Sequence, residues 1–374
     1  SFRMSTGSSR MRKPLVDDEK DDEVKPTSSK PKKNNNSDVN DKEKKPGVVD
    51  DLYHRFVDTF ERSLNAVVRG ETRAEPEPLS SQTLEGFAEY IKKVKPTNCI
   101  VLSGAGVSTA AGIPDFRTPG TGLYDNLAEY GLDDPQDIFD IEFFEKNPAP
   151  FYKLAKSLFP KDIKPTVAHY FIRLLEKKGI LRRWFTQNID SLEMLAGLDP
   201  ESVVSAHGSH RTSRCLKCGK TFDLEWISHI LNDPDQLVAY CDDDKCKGLV
   251  KPDITFFGES MPKRFFQYVV KDFPRCDLLI IMGTSLKVQP FAGLVDEVAG
   301  DCPRLLINME PAGHFGHGDR MAVMEMCYGD KKNKRDVFYR GTTDDGCRRL
   351  AELLGWDEEL DILVEQGPPT KKLQ

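Results

Sequence analysis

An apolar run that leads into a closely spaced glycine pair is the feature that most constrains the fold of this chain. Residues 99–102 read C-I-V-L, and the segment L-S-G-A-G-V-S-T-A-A-G-I-P-D-F spans 102–116. A strand, a tight glycine turn and a helix start in that order are typical of a site for the pyrophosphate of a dinucleotide. The dehydrogenase fingerprint has a third glycine three residues after Gly106, where this chain has Thr109. The pattern therefore predicts a dinucleotide site and leaves open how the dinucleotide is used.

Further patterns predict the sheet that such a site requires. Apolar runs indicate strands at 181–185, 203–206, 278–282 and 304–308. Helical spacing of apolar residues occurs between several of these runs and also before the first strand, at 83–94, 167–178 and 346–354. Strands that alternate with helices favour an α/β fold with a mostly parallel, doubly wound sheet.

The two ends of the chain differ from its middle. Residues 1–48 are rich in Ser, Lys, Asp, Asn and Pro with almost no aromatic side chains, so we predict a disordered tail. Apolar residues at helical spacing over 49–68, followed by a Glu- and Pro-containing stretch, predict an N-terminal helix and linker over 49–82. We expect a C-terminal tail over 357–374.

Composition argues against several classes of protein. A formal net charge of −7 over 374 residues is the wrong sign for a dedicated nucleic-acid binder. No apolar run approaches the roughly 18–20 residues that cross a bilayer, and we find no signal-peptide pattern. Nine cysteines without a secretion signal favour metal ligands and reduced core thiols in a reducing compartment. We therefore expect neither a membrane nor a specific nucleic acid as a partner.

Four of the cysteines form two pairs at metal-ligand spacing. Cys215 and Cys218 enclose two residues, Cys241 and Cys246 enclose four, and 22 residues separate the pairs. Two thiol pairs at this distance suit tetrahedral Zn(II) in a closed structural site. The alternative interpretation is that these are four core or surface cysteines that have this spacing by chance. The other five cysteines are single and scattered, and we interpret them as core thiols.

Polar residues follow several predicted strands at the end where open α/β sheets bind ligands. These groups are T-Q-N-I-D at 186–190, His207-Gly208, Gly283-Thr284-Ser285, and the pair Asn308 and Glu310. A single histidine after a strand is more often structural than catalytic, but four such groups beside a G-x-G loop predict one shared site. Glu310 is the candidate for binding the adenosine ribose, and its distance from the loop argues against an ordinary dehydrogenase.

Together these residues resemble the signatures of the sirtuin family, in the family's order. The motifs are G-A-G-V-S-T-A-A-G-I-P-D-F-R at 104–117, T-Q-N-I-D, H-G, the two cysteine pairs, K-P-D-I-T-F-F-G-E at 251–259 and G-T-S-L-K-V-Q-P-F-A at 283–292. T-G-L-Y-D-N-L at 121–127 and A-E-L-L-G-W at 351–356 are most similar to the cytoplasmic branch. The resemblance implies a catalytic domain over 83–356, with a Rossmann-like large domain and a smaller zinc-ribbon plus helical domain. The helical module would lie at about 115–175 and the zinc ribbon at about 208–254.

The resemblance also implies roles for individual residues. The pyrophosphate would be held by Gly104, Ala105, Gly106 and Ser108, and a mobile cofactor loop would include Asp115, Phe116 and Arg117. The nicotinamide and its ribose would contact Gln187, Asn188, Ile189 and Asp190. The adenosine half would contact Gly283, Thr284, Ser285, Asn308 and Glu310, and Thr343 is a further expected NAD contact. His207 would be the general base, with Asn188 and Asp190 as catalytic partners.

The implied reaction removes an acyl group from lysine and consumes NAD. The acyl oxygen attacks the nicotinamide ribose, nicotinamide leaves, and an O-alkylimidate forms. A ribose hydroxyl then attacks this imidate with the help of the histidine, and water completes the reaction to give free lysine and O-acyl-ADP-ribose. The modified lysine would bind at Thr255, Phe256, Phe257, Gly258 and Glu259, with Phe256 in an acyl tunnel. We expect acetyl as the main group and longer fatty acyl groups as further substrates, because the Tyr/Arg pair of succinyl-preferring members is missing.

Partners and competing functions complete these expectations. Histones and tubulin are substrates by analogy only, and we expect a monomer in the cytoplasm, with nuclear access as a further possibility. An inert NAD-sensing scaffold and a protein mono-ADP-ribosyltransferase are the competing functions.

Overall fold

The computed structural model describes residues 5–6, 79–115, 122–123, 132, 134–158, 163–233, 235–313 and 326–367. The predicted helix at 49–68 and nearly all of the predicted tail at 1–48 lie outside these residues. The strands are β1 (Ser5–Thr6), β2 (Cys99–Ser103), β3 (Leu181–Thr186), β4 (Val203–Ser205), β5 (Gly208–Cys215), β6 (Thr221–Asp223), β7 (Val250–Ile254), β8 (Leu278–Met282), β9 (Val288–Gln289), β10 (Arg304–Asn308) and β11 (Asp336–Arg340). The α-helices are α1 (Leu84–Val94), α2 (Ile141–Lys146), α3 (Ala149–Leu158), α4 (Val167–Lys177), α5 (Leu192–Leu195), α6 (Leu224–Asn232), α7 (Lys263–Asp272), α8 (Thr343–Leu354) and α9 (Asp357–Gln366).

Six parallel strands form the main sheet in the order β11-β10-β8-β2-β3-β4. The chain enters at β2, adds β3 and β4 on one side, and then crosses to add β8, β10 and β11 on the other. This arrangement confirms the predicted doubly wound α/β fold. Because the strand order reverses between β2 and β8, ligands are expected at the carboxyl ends of these two strands.

The central strands are buried on both faces, as a parallel sheet covered by helices requires. Val101 and Ile280 point into a core formed with α1, α4, α8 and α9, whereas Leu102 and Ile281 point into a second core formed with α7 and the 3-10 turn at Phe291–Asp296. The continuous apolar runs in the sequence reflect this burial on two sides. No described helix is both long and apolar enough to cross a membrane.

A smaller domain is inserted into this frame. β5, β6 and β7 form an antiparallel sheet, which packs with α2, α3, α6 and the 3-10 turn at Pro135–Phe139 around a separate core. Phe144, Phe151 and Phe256 are fully buried there, with ring centroids 5.0–5.4 Å apart. The helical part of this domain ends with α3, earlier than the predicted limit of about 175, because the apolar face of α4 belongs to the core of the large sheet.

Two segments predicted as tails contain regular structure. Helix α9 lies in the predicted tail at 357–374, and it is held because Leu360 and Leu363 are buried in the large-domain core. Residues Ser5 and Thr6 pair antiparallel with Gln289 and Val288, so two residues of the segment predicted as disordered form a strand.

Candidate active site

The turn after β2 is shaped by its contact with the turn after β8. Gly106 N–H donates to the carbonyl of Gly283 over 2.9 Å, and a Cβ at Gly106 would come within 2.6 Å of the Cα of Gly283. A Cβ at Gly104 would lie 2.9 Å from the same carbonyl oxygen. The glycine pair is therefore required by the packing of two loops, a reason that the sequence alone did not reveal. Two short 3-10 turns follow, Ala105–Val107 and Thr109–Ala111, where a dehydrogenase would have a long helix.

Predicted contacts of the adenosine half lie beside this turn. Asn308 Nδ2 donates to the carbonyl oxygens of Thr284 and Glu310 over 3.3 and 2.8 Å. Thr343, at the start of α8, donates its hydroxyl to the carbonyl of Gly106 over 3.2 Å. Ser285 and Glu310 are exposed beside them. The structure thus brings these residues together at one edge of the sheet.

A hydrogen-bonded network connects this edge with the end of β3. Thr284 Oγ1 donates to Gln187 Oε1 over 2.7 Å. Asn188 Nδ2 donates to Ser108 Oγ over 3.0 Å, and Ser108 Oγ donates to Asp190 Oδ2 over 2.7 Å. Ser108 is completely buried, so its hydroxyl fixes the amide and the carboxylate in one arrangement.

His207 follows β4 and lies close to the same segment. Its Nδ1 is 3.0 Å from the carbonyl oxygen of Gln187. Because a carbonyl oxygen only accepts, Nδ1 carries the proton and Nε2 presents a lone pair. Nε2 is covered and has no hydrogen-bond partner among the described residues. Burial, partly opposed by the Gln187 carbonyl, lowers the pKa of His207 from its ordinary value of 6.5 to about 4.

The short helix that follows Asp190 contains a buried acid that the sequence did not single out. Glu193 is 2% exposed, and it follows Ser191, whose φ of 60° is unusual for a residue other than glycine. Burial, and then the charge of Asp190, raises the pKa of Glu193 to about 8. The stretch L-E-M-L gives no sign of this burial, because a glutamate in a helix is usually solvated.

The predicted substrate loop is fastened to both domains. Thr255 N–H donates to the carbonyl of His207 over 2.7 Å, and Phe256 N–H donates to Glu259 Oε2 over 2.7 Å. Phe257 uses its backbone N–H and carbonyl to bond Phe139 and Ile141, so it joins the helical module. Phe256 has no accessible surface, which places its ring in the core of the smaller domain in this conformation, instead of in the wall of an open tunnel. Gly258 and the half-buried Glu259 complete the loop.

The structure describes only some of the remaining predicted NAD contacts. Asp115 accepts from Leu123 N–H over 2.7 Å through its carbonyl, and Ile189 packs partly buried against the smaller domain. Phe116 and Arg117 lie outside the described residues.

The four paired cysteines converge in the smaller domain. The Sγ atoms of Cys215, Cys218, Cys241 and Cys246 all lie within 4.8 Å of one another. The Cys215–Cys246 and Cys218–Cys241 separations are 3.6 and 3.8 Å, and a tetrahedron with Zn–S bonds of about 2.3 Å has edges of about 3.8 Å. Four thiolates at this spacing fit one zinc ion with no open coordination position. A Cβ at position 248 would lie 2.8 Å from Cys215 Sγ, so this position of the turn requires a glycine.

A doubly wound sheet with a polar network at its switch point, beside a closed four-thiolate site, defines a dinucleotide-using enzyme with a structural zinc module. A model of the Sir2 family matches residues 104–290. The chain is 51% identical over 292 residues to the NAD-dependent protein deacetylase sirtuin-2 of Danio rerio, and this match covers 77% of this chain and 76% of the relative. It is 44% identical over 291 residues to the NAD-dependent protein deacetylase hst2 of Schizosaccharomyces pombe, and this match covers 78% of this chain and 82% of the relative. It is 42% identical over 285 residues to the NAD-dependent protein deacetylase sirtuin-3 of Mus musculus, and this match covers 76% of this chain and 80% of the relative.

The chain belongs to the Sir2 family, and it is an NAD-dependent deacetylase. This confirms the predicted fold, enzyme class, co-substrate and zinc site, and the competing scaffold and ADP-ribosyltransferase functions are not favoured. The site also fits NAD on structural grounds. The covered lone pair of His207 Nε2 and the oriented Asn188 amide offer an acceptor and a donor for ribose hydroxyls, whereas Asp190 offers an acceptor for a carboxamide N–H.

Proposed function

We propose that this enzyme removes acyl groups from protein lysines, with His207 as general base and with Asn188 and Asp190 as the residues that orient NAD. The observation that supports these roles is the Asn188–Ser108–Asp190 network beside the unpartnered Nε2 atom of His207. NAD, when bound, supplies an electrophilic ribose carbon and nicotinamide as the leaving group.

The proton of the reaction would pass to His207 Nε2. The ring is already neutral at neutral pH, since its pKa is lowered to about 4, so no proton needs to leave before Nε2 can accept one from a ribose hydroxyl. The Nδ1–H bond to Gln187 holds the ring in the required tautomer. Asn188 is uncharged and can order hydroxyls without adding charge, and Asp190 can accept the carboxamide N–H of nicotinamide.

The protein substrate would bind as an extended strand between the loop 255–259 and β9. The pairing of Ser5 and Thr6 with β9 supports this mode, because it shows an edge that accepts an antiparallel strand. The acyl-lysine N–H would donate to the carbonyl of Thr255. We expect acetyl-lysine to be the preferred substrate, fatty acyl-lysine to be accepted and succinyl-lysine to be disfavoured.

The assigned roles are tested by separating nicotinamide release from deacylation. An acetyl-lysine peptide is incubated with NAD and isotope-labelled nicotinamide, and both label exchange into NAD and peptide mass are followed. His207→Ala should keep the exchange and lose deacetylation, because the base acts only after nicotinamide has left. Asp190→Asn should weaken both, since the nicotinamide pocket is altered. Full deacetylation by His207→Ala would overturn the base assignment.

A panel of peptides that differ only in the acyl group tests the substrate range. The kcat/KM should fall from acetyl to myristoyl to succinyl. A preference for succinyl would contradict the proposal that the pocket takes uncharged groups.

Location and assembly are further proposals. We propose a monomer that acts in the cytoplasm, with access to the nucleus, and that histone or tubulin peptides are candidate substrates by analogy with the family. Light scattering of the purified chain and imaging of a tagged full-length protein test these points. A stable dimer, or a signal confined to another compartment, would contradict them.

A further inference from the structure

Glu193 is a buried titratable group, three residues after Asp190, that the mechanism above leaves unused. It is the second residue of α5 and is itself 2% exposed, whereas Asp190 is half-buried. Its Oε1 atom is buried and has no hydrogen-bond partner among the described residues. A buried ionised carboxyl with an unpaired oxygen would lower the stability of the fold, whereas a protonated carboxyl is buried at a smaller cost in free energy.

The contacts of Glu193 lead directly to the two residues that orient NAD. The hydroxyl of Thr186 acts on this carboxyl and lowers the pKa of Glu193, against the larger effects of burial and of Asp190. The same hydroxyl oxygen accepts the backbone N–H of Asn188 over 3.1 Å. Asn188 in turn is joined to Asp190 through Ser108. Thr186 therefore acts on Glu193 and also bonds the backbone of Asn188, and the charge of Asp190 acts on the Glu193 carboxyl.

The two carboxyl groups have unequal environments. Asp190 accepts from Ser108 Oγ over 2.7 Å and from Leu192 N–H over 3.0 Å, so each of its oxygens has a donor. Burial raises the pKa of Asp190, and these two donors oppose that rise. Burial, and then the charge of Asp190, raises the pKa of Glu193, whose buried Oε1 atom has no donor among the described residues. A single proton shared by such a pair resides mainly on the less well solvated group.

We propose that Asp190 and Glu193 hold one proton between them, that it resides on Glu193, and that protonated Glu193 is a positioning residue that keeps Asp190 ionised and correctly placed for nicotinamide. This inference rests on the proposed role of Asp190. Loss of the proton at alkaline pH would place a second negative charge beside Asp190 in a covered site. The Asp190–Ser108–Asn188 arrangement would then be disturbed, and binding of NAD would weaken.

The other titratable groups at this segment do not supply a compensating charge. His207 bonds the carbonyl of Gln187 and His210 is hydrogen-bonded to the backbone of Ile189. Burial lowers the pKa of both imidazoles to about 4, so both are neutral in the relevant pH range. Asp190 is the charged group that acts on Glu193 among the described residues.

The first test compares wild type with Glu193→Gln, which mimics the protonated carboxyl. Affinity for NAD, without peptide, is measured by calorimetry between about pH 6 and pH 9. Wild type should lose about tenfold or more in affinity across this range, whereas Glu193→Gln should stay within about threefold of its value at pH 6. Glu225→Gln, which removes an exposed glutamate on α6, is the control and should follow wild type.

The second test needs no NAD. The folded state holds the proton of Glu193 up to about pH 8, whereas the unfolded chain releases it near the ordinary value of 4.5. The stability that this proton provides is complete below the ordinary pKa and is lost as the pH rises through the folded one. The Tm of Glu193→Gln should therefore increase relative to wild type between about pH 5 and pH 8, by at least about 2 °C.

The outcomes separate this inference from the proposed function. Parallel pH profiles of affinity and of Tm for wild type and Glu193→Gln would overturn the shared proton. The pH profiles of affinity and of Tm could diverge as expected while Asp190→Asn leaves nicotinamide exchange unchanged. That result would support the shared proton and would contradict the assigned role of Asp190. A Glu193→Gln variant with weak NAD binding at every pH would also contradict the proposal, because the mimic of the protonated form should bind.

Discussion

Gly106 shows how a single position can serve the fold and the site at once. Replacing it with Ala would place a methyl group 2.6 Å from Gly283 Cα, inside the contact between two loops that neither backbone can easily leave. We expect Gly106→Ala to lower the free energy of unfolding by about 1–3 kcal/mol and to weaken NAD binding, measured by thermal melting and calorimetry.

Gly300→Ala is the matched control for this substitution. A Cβ at Gly300 meets nothing within 4 Å, so this variant should melt and bind NAD as wild type does. Equal behaviour of the two alanine variants would show that the loop contact is not close in solution.

The acid side of the pH profile reports on His207. Because burial lowers the pKa of this imidazole to about 4, its neutral form persists well below the ordinary value of 6.5. The kcat/KM for NAD should therefore show no loss attributable to this histidine as the pH falls from about 7.5 to 5.5. A wild-type kcat/KM that falls with a pKa near 6.5 would contradict the lowered pKa of His207.

At the scale of secondary-structure elements, the zinc module depends on its ligands more than on its strands. β6 has three residues, and the sheet β5–β7 is held together at its turns by the four cysteines. Cys241→Ser should lose the zinc ion and unfold the module, because a structural zinc site contributes folding free energy directly. Metal content by emission spectroscopy and melting by circular dichroism measure both effects.

Cys327→Ser provides the control for the zinc prediction. Cys327 is exposed and lies outside the four-thiolate cluster, so this variant should keep one zinc ion per chain. A Cys241→Ser variant that also keeps it would show that the four cysteines do not share an ion.

Helix α9 allows a comparison within one element. Leu360 is 1% exposed in the large-domain core, whereas Ile362 on the same helix is 51% exposed. Leu360→Ala should lower the free energy of unfolding by about 2–5 kcal/mol, and Ile362→Ala should change it little, both measured by chemical denaturation. Equal small effects would mean that α9 does not pack on the sheet.

At the scale of the whole molecule, the sequence revealed what periodicity and motif spacing encode. Five strands of the main sheet and the cysteine pairs were predicted, because burial on two faces and tetrahedral ligation leave clear patterns. β11 was missed, since D-V-F-Y-R is short and bounded by charges. α9 was taken for a tail, because its buried face consists of only two leucines.

The site was predictable in its members but not in its connections. Residues at strand ends, such as Asn188 and His207, could be named because parallel strands present their carboxyl ends at one edge. The hydroxyl of Ser108 as a link between Asn188 and Asp190 depends on contacts across some 80 residues of chain. The burial of Glu193 and the lowered pKa of His207 depend on the whole surroundings of each group, and no local pattern encodes them.

A mass balance tests whether this chain consumes NAD when it removes an acyl group from lysine. The purified protein is incubated with an acetyl-lysine peptide, with and without NAD, and all products are quantified by mass spectrometry. We expect one nicotinamide and one O-acetyl-ADP-ribose for each acetyl group lost, and no loss of acetyl without NAD. Formation of NADH, transfer of ADP-ribose to the peptide, or acetyl loss without nicotinamide release would contradict it.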